Sequence, residues 1–547
     1  TWNGSISTDW NNPANWTPNG VPTAAHCVVI PNVTNDPIIS GSNYEAFAAN
    51  ISLMSSAKLE INPTNTLTIT NTVNVHYTAN FNIKNGASLV QINDNAVNIG
   101  NIKYTRTSRA MTRYAYVYWG SPVAGNVFSQ IPSQFDYKYR WQSGAMNGTW
   151  VPLAATAPGE GFITRVRNAA PFNSGTGTID FNFTGVPNNG LINVNVDSYD
   201  ATSLVTGNTA LLSNPYPSPI DAAAFLTHPN NTELGGTLFF WTSVTMYSGA
   251  GPYNFQDYAS WNLTGSTATT PASDASNMSL LPNGKISTGQ GFFAQVFADG
   301  QISFDNSMRV SGSNTQFFRN ANSTMSEKHR IWLNLSNSQN KFRQTLIGYV
   351  AGATNELDRL YDGTTFTSNE INIYSLVNDS KLVIQGKALP FDQNDVVPVG
   401  YSITTAGDYT IAIDHMDGVF ENNQTVYLKD KLLNVVHDIK TNAYSFATAA
   451  GTFDNRFEIV FNANALGTGD LEGNNAVAYV KDNQLHIESV VNIKEIVIYE
   501  LSGKKLNTFT NNDLDTSLST AFNYPNGVYI IKVMLDNDVI VPIKVAK

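Results

Sequence analysis

The chain has 547 residues and a formal net charge of −11 at pH 7, and only 13% of its residues are charged. An acidic chain without a basic stripe argues against nucleic-acid binding, and the length predicts roughly three to four domains rather than one. Because the charged fraction is far below the soluble average of about 25%, amides and hydroxyls supply most of the polar surface, which is typical of secreted β-rich proteins.

The first predicted module, residues 1–100, opens with Trp2, Trp10 and Trp16 in a segment rich in Gly, Pro and Asn. Such a segment favours a cap in which aromatic area replaces regular structure. Pairs of apolar residues then recur about every eight residues, which leaves room for only a short corner between strands. The pairs are Ile51/Leu53, Leu59/Ile61, Leu67/Ile69, Val73/Val75 and Phe81/Ile83. They predict a short parallel β-helix or a solenoid-like sandwich.

Cys27 is the single cysteine, so the sequence excludes an intramolecular disulfide and a cysteine-based metal site. Beside Val28, Val29 and Ile30, it is predicted to be a small buried hydrophobic residue. The fold must therefore rest on buried area and strand pairing.

Residues 101–325 contain an internal duplication. Residues 117–123 (VYWGSPV) are echoed by 211–217 (LLSNPYP), and residues 157–166 by 287–296. Both copies of the second segment contain Gly-x-Gly-Phe, and an alternating strand follows each. We predict a duplicated β-domain whose halves pack on each other, since one sheet alone would expose an apolar face.

The glycine pairs Gly159/Gly161 and Gly289/Gly291 have two interpretations. A phosphate cradle requires a following helix, whereas the residues that follow here alternate as a strand. A close backbone approach or a β-bulge is therefore favoured.

Tryptophans of this module are candidates for stacking against glycans, which needs exposed flat rings on a rigid sheet. The candidates are Trp119, Trp141, Trp150, Trp241 and Trp261. Packing in the core or at its rim is the favoured alternative, because large aromatic side chains are usually mostly buried.

Residues 326–462 are predicted to form a β-sandwich, because strand candidates and turns alternate at sandwich-like intervals from Ile331 to Phe461. One loop carries Glu356, Asp358 and Asp362. Carboxylate oxygens suit Ca²⁺, although a solvated acidic loop explains the same residues. A structural Ca²⁺ is the one cofactor that the sequence suggests.

Residues 463–474 are rich in glycine and predict a flexible linker. Beyond it, residues 475–547 alternate apolar and polar positions through IVIYELSGKKL (496–506), YPNGVYIIKV (524–533) and IKVAK (543–547). Ser-Gly and Pro-Asn-Gly breaks predict short antiparallel strands in a small sandwich, with Gly527 at a turn position of positive φ.

In this order, the three segments resemble the type A C-terminal sorting domain of cargo of the type IX secretion system in gliding and pathogenic Bacteroidetes. The positions that match are Leu501, Ser502, Gly503, Lys504, Gly527, Val528, Tyr529, Lys532, Lys544 and Lys547. Two positions depart from the family pattern: Glu500 stands where Asp or Asn is commoner, and Ala546 interrupts the usual apolar pair before the last Lys.

The resemblance implies an immunoglobulin-like sandwich that the outer-membrane translocon and its shuttle protein recognise, and that a cell-surface sortase then removes. It implies secretion through the periplasm to the cell surface. Because such a domain acts together with an N-terminal signal, we expect the natural chain to carry residues before Thr1.

No enzymatic activity is predicted, because the sequence contains no His-x-x-x-His, His-Glu-x-x-His or Gly-x-Ser-x-Gly motif. We therefore expect an exported all-β protein of tandem modules, the C-terminal part of a large surface adhesin whose partners include surface glycans. The alternative is the non-catalytic carbohydrate-binding tail of a secreted polysaccharide-degrading enzyme.

Overall fold

The computed structural model of the chain describes residues 1–143, 148–198, 209–245, 247, 253, 257–271, 281–312, 314, 327–339, 341–365, 370–433, 435–462, 476–481, 483–489, 491–500, 504–511, 515–536 and 540–547. It forms two compact units, Thr1–Asn462 and Ala463–Lys547. The predicted linker at 463–474 and the predicted boundary at residue 325 lie outside the described residues.

The described part of the chain is almost entirely β-structure, which confirms the predicted all-β class. One α-helix occurs there, α1 (Ala222–Thr227). Short 3-10 helices cover Pro13–Asn15, Phe128–Gln130, Pro229–Asn231, Asn306–Met308 and Gly418–Phe420. No helix in the described ranges is long and apolar enough to cross a membrane.

The first strands form a parallel β-helix. They are β1 (Cys27–Ile30), β2 (Ile38–Ile39), β3 (Glu45–Ala48), β4 (Asn50–Leu53), β5 (Lys58–Ile61), β6 (Thr66–Ile69), β7 (Val73–Val75), β8 (Asn80–Ile83) and β9 (Ser88–Gln91). Each strand from β1 to β6 pairs in parallel with the strand three positions later, giving the faces β1–β4–β7, β2–β5–β8 and β3–β6–β9. The predicted apolar pairs point inward and are buried. The β-helix is therefore the correct one of the two predicted alternatives.

The tryptophans of the first segment close the N-terminal end of this coil, as predicted. Trp16 lies edge-on between Trp2 and Trp10, with ring centroids 4.9 and 4.7 Å apart. All three are buried, and the Trp16 indole N–H donates to the carbonyl of Trp10 at 2.8 Å. This aromatic cap lets the first strand end without exposing the core.

The prediction for Cys27 is wrong, because its side chain is exposed. In β1 the buried positions are Val28 and Ile30, so strand alternation turns Cys27 and Val29 outward. Four apolar residues in a row carried no information on which two face the core.

The duplicated region consists of two units of the same strand plan. The first contains β10 (Ile102–Thr107), β11 (Tyr116–Trp119), β12 (Phe135–Gln142), β13 (Thr149–Pro152), β14 (Phe162–Val166) and β15 (Asp180–Gly185). The second contains β16 (Ile192–Val196), β17 (Thr209–Ser213), β18 (Ile220–Asp221), β19 (Leu234–Trp241), β20 (Tyr258–Trp261), β21 (Ser266–Thr267), β22 (Lys285–Ile286), β23 (Gly291–Val296) and β24 (Gly300–Phe304). The sheet order β11–β14–β12–β13 matches β17–β23–β19–β20, and the pair β10–β15 matches β16–β24.

The two repeats exchange equivalent backbone hydrogen bonds. Gly120 N–H donates to the carbonyl of Gly289 at 2.9 Å, and Ser213 N–H donates to the carbonyl of Gly159 at 2.8 Å. Trp119 pairs with Phe162 as Leu212 pairs with Phe292, so Trp119 corresponds to Leu212. The sequence comparison had aligned Trp119 with Ser213, one residue away. The repeats are thus related by a local pseudo-twofold arrangement.

The glycine pairs serve this contact. A Cβ on Gly161 would lie 2.6 Å from Leu211 Cγ, and one on Gly291 would lie 3.0 Å from Tyr118 Cβ. Each Gly-x-Gly therefore permits one repeat to approach the backbone of the other, which confirms the close-approach interpretation over a phosphate cradle.

The first repeat also continues the coil. Strand β10 pairs in parallel with β8 of the β-helix and antiparallel with β15, so the predicted boundary at residue 100 lies within a continuous sheet. Leu89 and Phe181 belong to one buried cluster that spans both sides of it.

The third module contains one sheet that folds back on itself. Its strands are β25 (Lys328–Asn337), β26 (Phe342–Val350), β27 (Gly363–Thr364), β28 (Ile371–Val377), β29 (Ser380–Lys387), β30 (Val396–Ile403), β31 (Gly407–Asp417), β32 (Tyr427–Asp430), β33 (Val435–Asp438), β34 (Tyr444–Thr448) and β35 (Gly451–Val460). Phe446 of β34 contacts Tyr401 of β30 across the interior, with ring centroids 5.3 Å apart. The two halves of this sandwich are therefore hydrogen-bonded into a single sheet.

The second compact unit is a small immunoglobulin-like sandwich, as expected. Its strands are β36 (Ala476–Lys481), β37 (Gln484–Ser489), β38 (Ile493–Glu500), β39 (Lys505–Thr510), β40 (Ser517–Ala521), β41 (Val528–Leu535) and β42 (Ile540–Ala546). Sheet β36–β37–β40 packs on sheet β39–β38–β41–β42, around a core that includes Leu485, Ile496 and Ile531.

Candidate functional site

The described positions that resemble the sorting motif, from Lys504 to Lys547, lie in the second unit. Leu501, Ser502 and Gly503, between β38 and β39, lie outside the described residues. Lys504, which follows them, accepts a hydrogen bond through its backbone carbonyl from Glu500 N–H at 2.9 Å. This bond closes the hairpin at the end of β38.

Gly527 does not have the positive φ predicted for it. It pairs with the last residue of the chain: Lys547 N–H donates to the carbonyl of Gly527 at 2.9 Å, and Gly527 N–H donates back at 3.2 Å. A Cβ on Gly527 would meet only the Tyr529 ring, at 3.7 Å, an ordinary contact. Neither φ nor space therefore requires glycine here; the turn is shaped instead by the pairing of β41 with β42.

Tyr529 is a structural residue at the start of β41. Its ring is buried against Phe522, at a centroid distance of 5.1 Å. Its hydroxyl donates to the carbonyl of Pro525 at 2.8 Å. A tyrosine that bonds back to the backbone just upstream at this corner is typical of immunoglobulin-like sandwiches, so the contacts of Tyr529 hold the corner in shape.

Lys547 is likewise held by the sandwich. Its ammonium donates to the carbonyls of Phe522 at 2.9 Å and Tyr524 at 2.8 Å. The side chain thus ties the end of β42 to the loop before β41. Val528 supports the same closure, because it pairs with Ala546 across the two strands.

Lys504, Lys532 and Lys544 are matching residues that are exposed to solvent, and Lys532 and Lys544 of these lie on strands. Register places Lys532 opposite Pro542, and Lys544 opposite Ile530, so both lysines lie on the outer face of the β39–β38–β41–β42 sheet. The Lys532 ammonium lies 5.2 Å from the centre of the Tyr499 ring on β38. The outer face therefore combines two cations with partly exposed apolar residues.

Strand β42 is the last strand of that sheet, and Pro542 divides it. Proline has no N–H to donate, and alternate residues in phase with Lys547 direct their N–H groups to β41, so beyond Pro542 the N–H groups left for an added strand are those of Lys544 and Ala546. Among the described residues, the sequence-predicted set thus separates into residues that shape the sandwich and the exposed lysines Lys504, Lys532 and Lys544.

The acidic loop of the third module does not fit the predicted Ca²⁺ site. The Asp358 carboxylate accepts the N–H of Thr354 at 2.5 Å, and the Asp362 carboxylate accepts those of Asp358 at 2.7 Å and Gly386 at 2.8 Å. Glu356 is exposed. Across the described ranges, no three His, Cys, Asp or Glu side chains are grouped closely enough to hold a metal ion. The carboxylates cap the turn, and burial raises the pKa of Asp362 to about 6 despite those N–H donors.

The tryptophans proposed for glycan stacking are mainly packing residues. Trp119 is fully buried, and its indole N–H donates to the Thr164 hydroxyl at 2.8 Å. Trp141 and Trp150 face each other across β12 and β13, with centroids 4.9 Å apart. Trp241 stacks on Tyr118 of the other repeat at 6.0 Å, so these rings join the two repeats.

A row of tyrosines beside those tryptophans was missed in the sequence. Tyr116, Arg165 and Tyr137 lie side by side on β11, β14 and β12. The signal was present as the alternation Tyr137-x-Tyr139-x-Trp141, which places three aromatic rings on one face of β12. The tyrosines of this alternation were not among the residues predicted to stack on glycans.

A family model described as Domain of unknown function (DUF8693) matches residues 1–461, and a second, described as Domain of unknown function (DUF8694), matches residues 466–547. The two matches divide the chain where its compact units divide. No curated protein matches it.

Proposed function

The chain belongs to the family of the Domain of unknown function (DUF8693), and we propose that its residues 463–547 are an export signal that delivers residues 1–462 to the cell surface. The signal is the type IX sorting domain that the sequence resembles, recognised by the outer-membrane translocon and its shuttle protein. Residues 1–462 are the cargo, a non-enzymatic adhesin that contacts surfaces outside the cell.

Modularity is the observation that carries this proposal. Two family models and two compact units place the division between the same residues, so a receptor can bind the small sandwich without contacting the cargo. A separate immunoglobulin-like unit on an otherwise unrelated β-protein is what an exchangeable address requires.

The outer face of the sandwich supplies the chemistry for recognition. Lys532 and Lys544 steer and orient an acidic receptor surface, and the partly exposed Ile530 and Tyr499, which lie in one row with Lys544, supply apolar contact. The backbone groups of Lys544 and Ala546, which alternate with those that pair with β41, are available for strand addition at the edge of β42. Cleavage by a cell-surface sortase within 463–474 completes the proposed route.

The test is a fusion of residues 463–547, with a signal peptide, to an unrelated folded reporter in a host that has the type IX translocon. We expect the reporter on the cell surface, and we expect Lys532→Glu and Lys544→Glu each to reduce display. Lys481→Glu is the matched control, because this exposed lysine lies on β36 of the other sheet.

Deleting residues 543–547 should retain the reporter in the periplasm, although this change also removes the β41–β42 pairing. The lysine variants distinguish recognition from folding, since both side chains face solvent. Equal display of the Lys481, Lys532 and Lys544 variants, or no display of the intact fusion, would contradict the proposal.

A further inference from the structure

The row of Tyr116, Arg165 and Tyr137 forms the outer rim of an aromatic face in the first repeat. The next row on the same strands, Tyr118, Ile163 and Tyr139, is more deeply placed and belongs to the cluster that joins the repeats. The side chains on this face therefore become more exposed from the row of Tyr118 to the row of Tyr137.

Arg165 is the rigid centre of this rim. Its guanidinium carbon lies 3.7 Å from the centre of the Tyr137 ring and 5.0 Å from that of Tyr114. Its Nε and Nη2 donate to the two carboxylate oxygens of Asp136 at 3.0 and 2.9 Å. The bidentate pair neutralises the cation while fixing its plane.

Tyr114 holds its ring there at a conformational cost. Its φ is +67°, in the left-handed region that bulky residues rarely adopt. Its N–H donates to the carbonyl of Val166 at 2.8 Å, which fixes the turn. Strain of this kind persists at ligand-binding positions, where the geometry of the side chain matters more than the local cost.

One end of the rim is covered and the other is open. Tyr253 lies edge-on to Tyr116 with ring centroids 4.9 Å apart, and its hydroxyl donates to the carbonyl of Tyr114 at 3.0 Å. Tyr137, at the other end, is 43% exposed. A ligand therefore approaches from the Tyr137 side.

The second repeat shows what the equivalent row binds there. Gln295 occupies the place of Arg165. Phe239 pairs with Phe293 as Tyr139 pairs with Ile163. Thr237, two residues before Phe239, therefore occupies the place of Tyr137. Gln295 Nε2 donates to the Thr364 hydroxyl at 3.1 Å, and the Thr237 hydroxyl donates to the carbonyl of Asp362 at 3.2 Å. An extended segment of the third module covers this row.

We propose that Tyr137 and Arg165 of this rim, together with Tyr114 and Asp136, bind a neutral glycan. One pyranose ring stacks on the exposed side of Tyr137. The row of the second repeat uses an amide and a hydroxyl, which bond to the Thr364 hydroxyl and to the Asp362 carbonyl of the covering segment. The first repeat replaces them with flat rings and a guanidinium–carboxylate pair, which match the apolar C–H face and the hydroxyl edge of a sugar. Neutralisation of Arg165 by Asp136 selects against uronic acids.

This inference supplies the ligand class for the proposed adhesin, but its test uses purified protein and is independent of export. The whole chain is titrated with dextran, mannan, xylan and a soluble β-1,3-glucan, with polygalacturonate and a proline decapeptide as competing ligand classes. We expect saturable binding to at least one neutral glycan, and loss of about tenfold or more in affinity on Tyr137→Ala.

Tyr77→Ala is the matched control, because Tyr77 is 89% exposed on the β-helix, and it should leave affinity unchanged. Tyr137→Phe keeps the ring and should retain binding, which separates stacking from misfolding. Asp136→Asn exposes the charge of Arg165 and should increase affinity for polygalacturonate. No binding to any neutral glycan, preference for the proline peptide, or an equal loss in the Tyr77 and Tyr137 variants would overturn the proposal.

Discussion

Replacing Asp430 by Asn is expected to destabilise the third module strongly. The Asp430 and Arg456 side chains are only 0% and 7% exposed, and Arg456 Nη2 lies 2.9 Å from an Asp430 carboxylate oxygen. Tyr444 also donates its hydroxyl to that carboxylate at 2.9 Å. Asn keeps the shape of Asp but leaves the buried guanidinium without its counter-charge.

The magnitude follows from two routes. Charge centres about 4 Å apart at an effective dielectric constant of about 20 attract by about 4 kcal/mol. Loss of one partner of a buried pair typically costs about 3–5 kcal/mol. Local opening of β32 and β35 should therefore become roughly 10²–10⁴ times more frequent.

Hydrogen-exchange mass spectrometry of peptides covering 427–430 and 451–460 measures this opening directly, and it does not require the two units of the chain to unfold in one step. Glu60→Gln is the control, because the Glu60–Lys84 pair is exposed and is worth at most about 1 kcal/mol. Asp430→Leu combined with Arg456→Met should recover most of the loss. Unchanged exchange in Asp430→Asn would refute the reasoning.

The effect depends on pH with a defined sign. Burial alone would raise the pKa of Asp430, but the hydrogen bonds from Arg456 and Tyr444 hold it below its usual value. A carboxylate whose pKa is depressed on folding stabilises the protein above its unfolded pKa of about 3.9, and this contribution is lost as pH falls through the folded value. The chain and its Asp430→Asn variant should therefore differ most near neutrality and converge in acid.

Two further substitutions test the packing. Gly120→Ala should destabilise the contact between the repeats by about 1–3 kcal/mol, because the new Cβ would lie 2.0 Å from Ser213 Oγ. The measurement is faster hydrogen exchange in β11 and β17. Gly175→Ala is the control, because the nearest atom to its new Cβ would be 3.6 Å away. Gly527→Ala should change the free energy of opening of β41, measured by hydrogen exchange, by less than about 0.5 kcal/mol. A larger loss of stability would show that glycine is required there after all.

Strand periodicity made much of the fold predictable. The apolar pairs such as Leu59/Ile61 specified strand after strand with short corners, and the parallel coil of the structure buries all of them. The duplication was visible in the repeated Gly-x-Gly-Phe, although its register was set by the pairing of Trp119 and Leu212 with the two Phe residues. The local alternation of apolar residues predicted the strands, whereas the alignment of the two repeats followed only from strand pairing in the structure.

The candidate sites were less predictable, because side-chain roles depended on distant neighbours. Lys547 is identical in type to Lys544, yet carbonyls of Phe522 and Tyr524 hold its ammonium while Lys544 faces solvent. Likewise, comparing the two repeats shows that the row at Tyr137 is open, since the segment that covers the second repeat lies 125 positions beyond Thr237 and 69 positions beyond Gln295.

The most direct test of the central claim is the location of the cargo itself. The whole chain and a form lacking residues 463–547, each with a signal peptide, are produced in a host with the type IX translocon, and intact cells are treated with a protease. The account predicts that residues 1–462 are digested on cells producing the whole chain, and that they stay protected in the periplasm when residues 463–547 are absent. Equal digestion of the two forms, or protection of both, would contradict it.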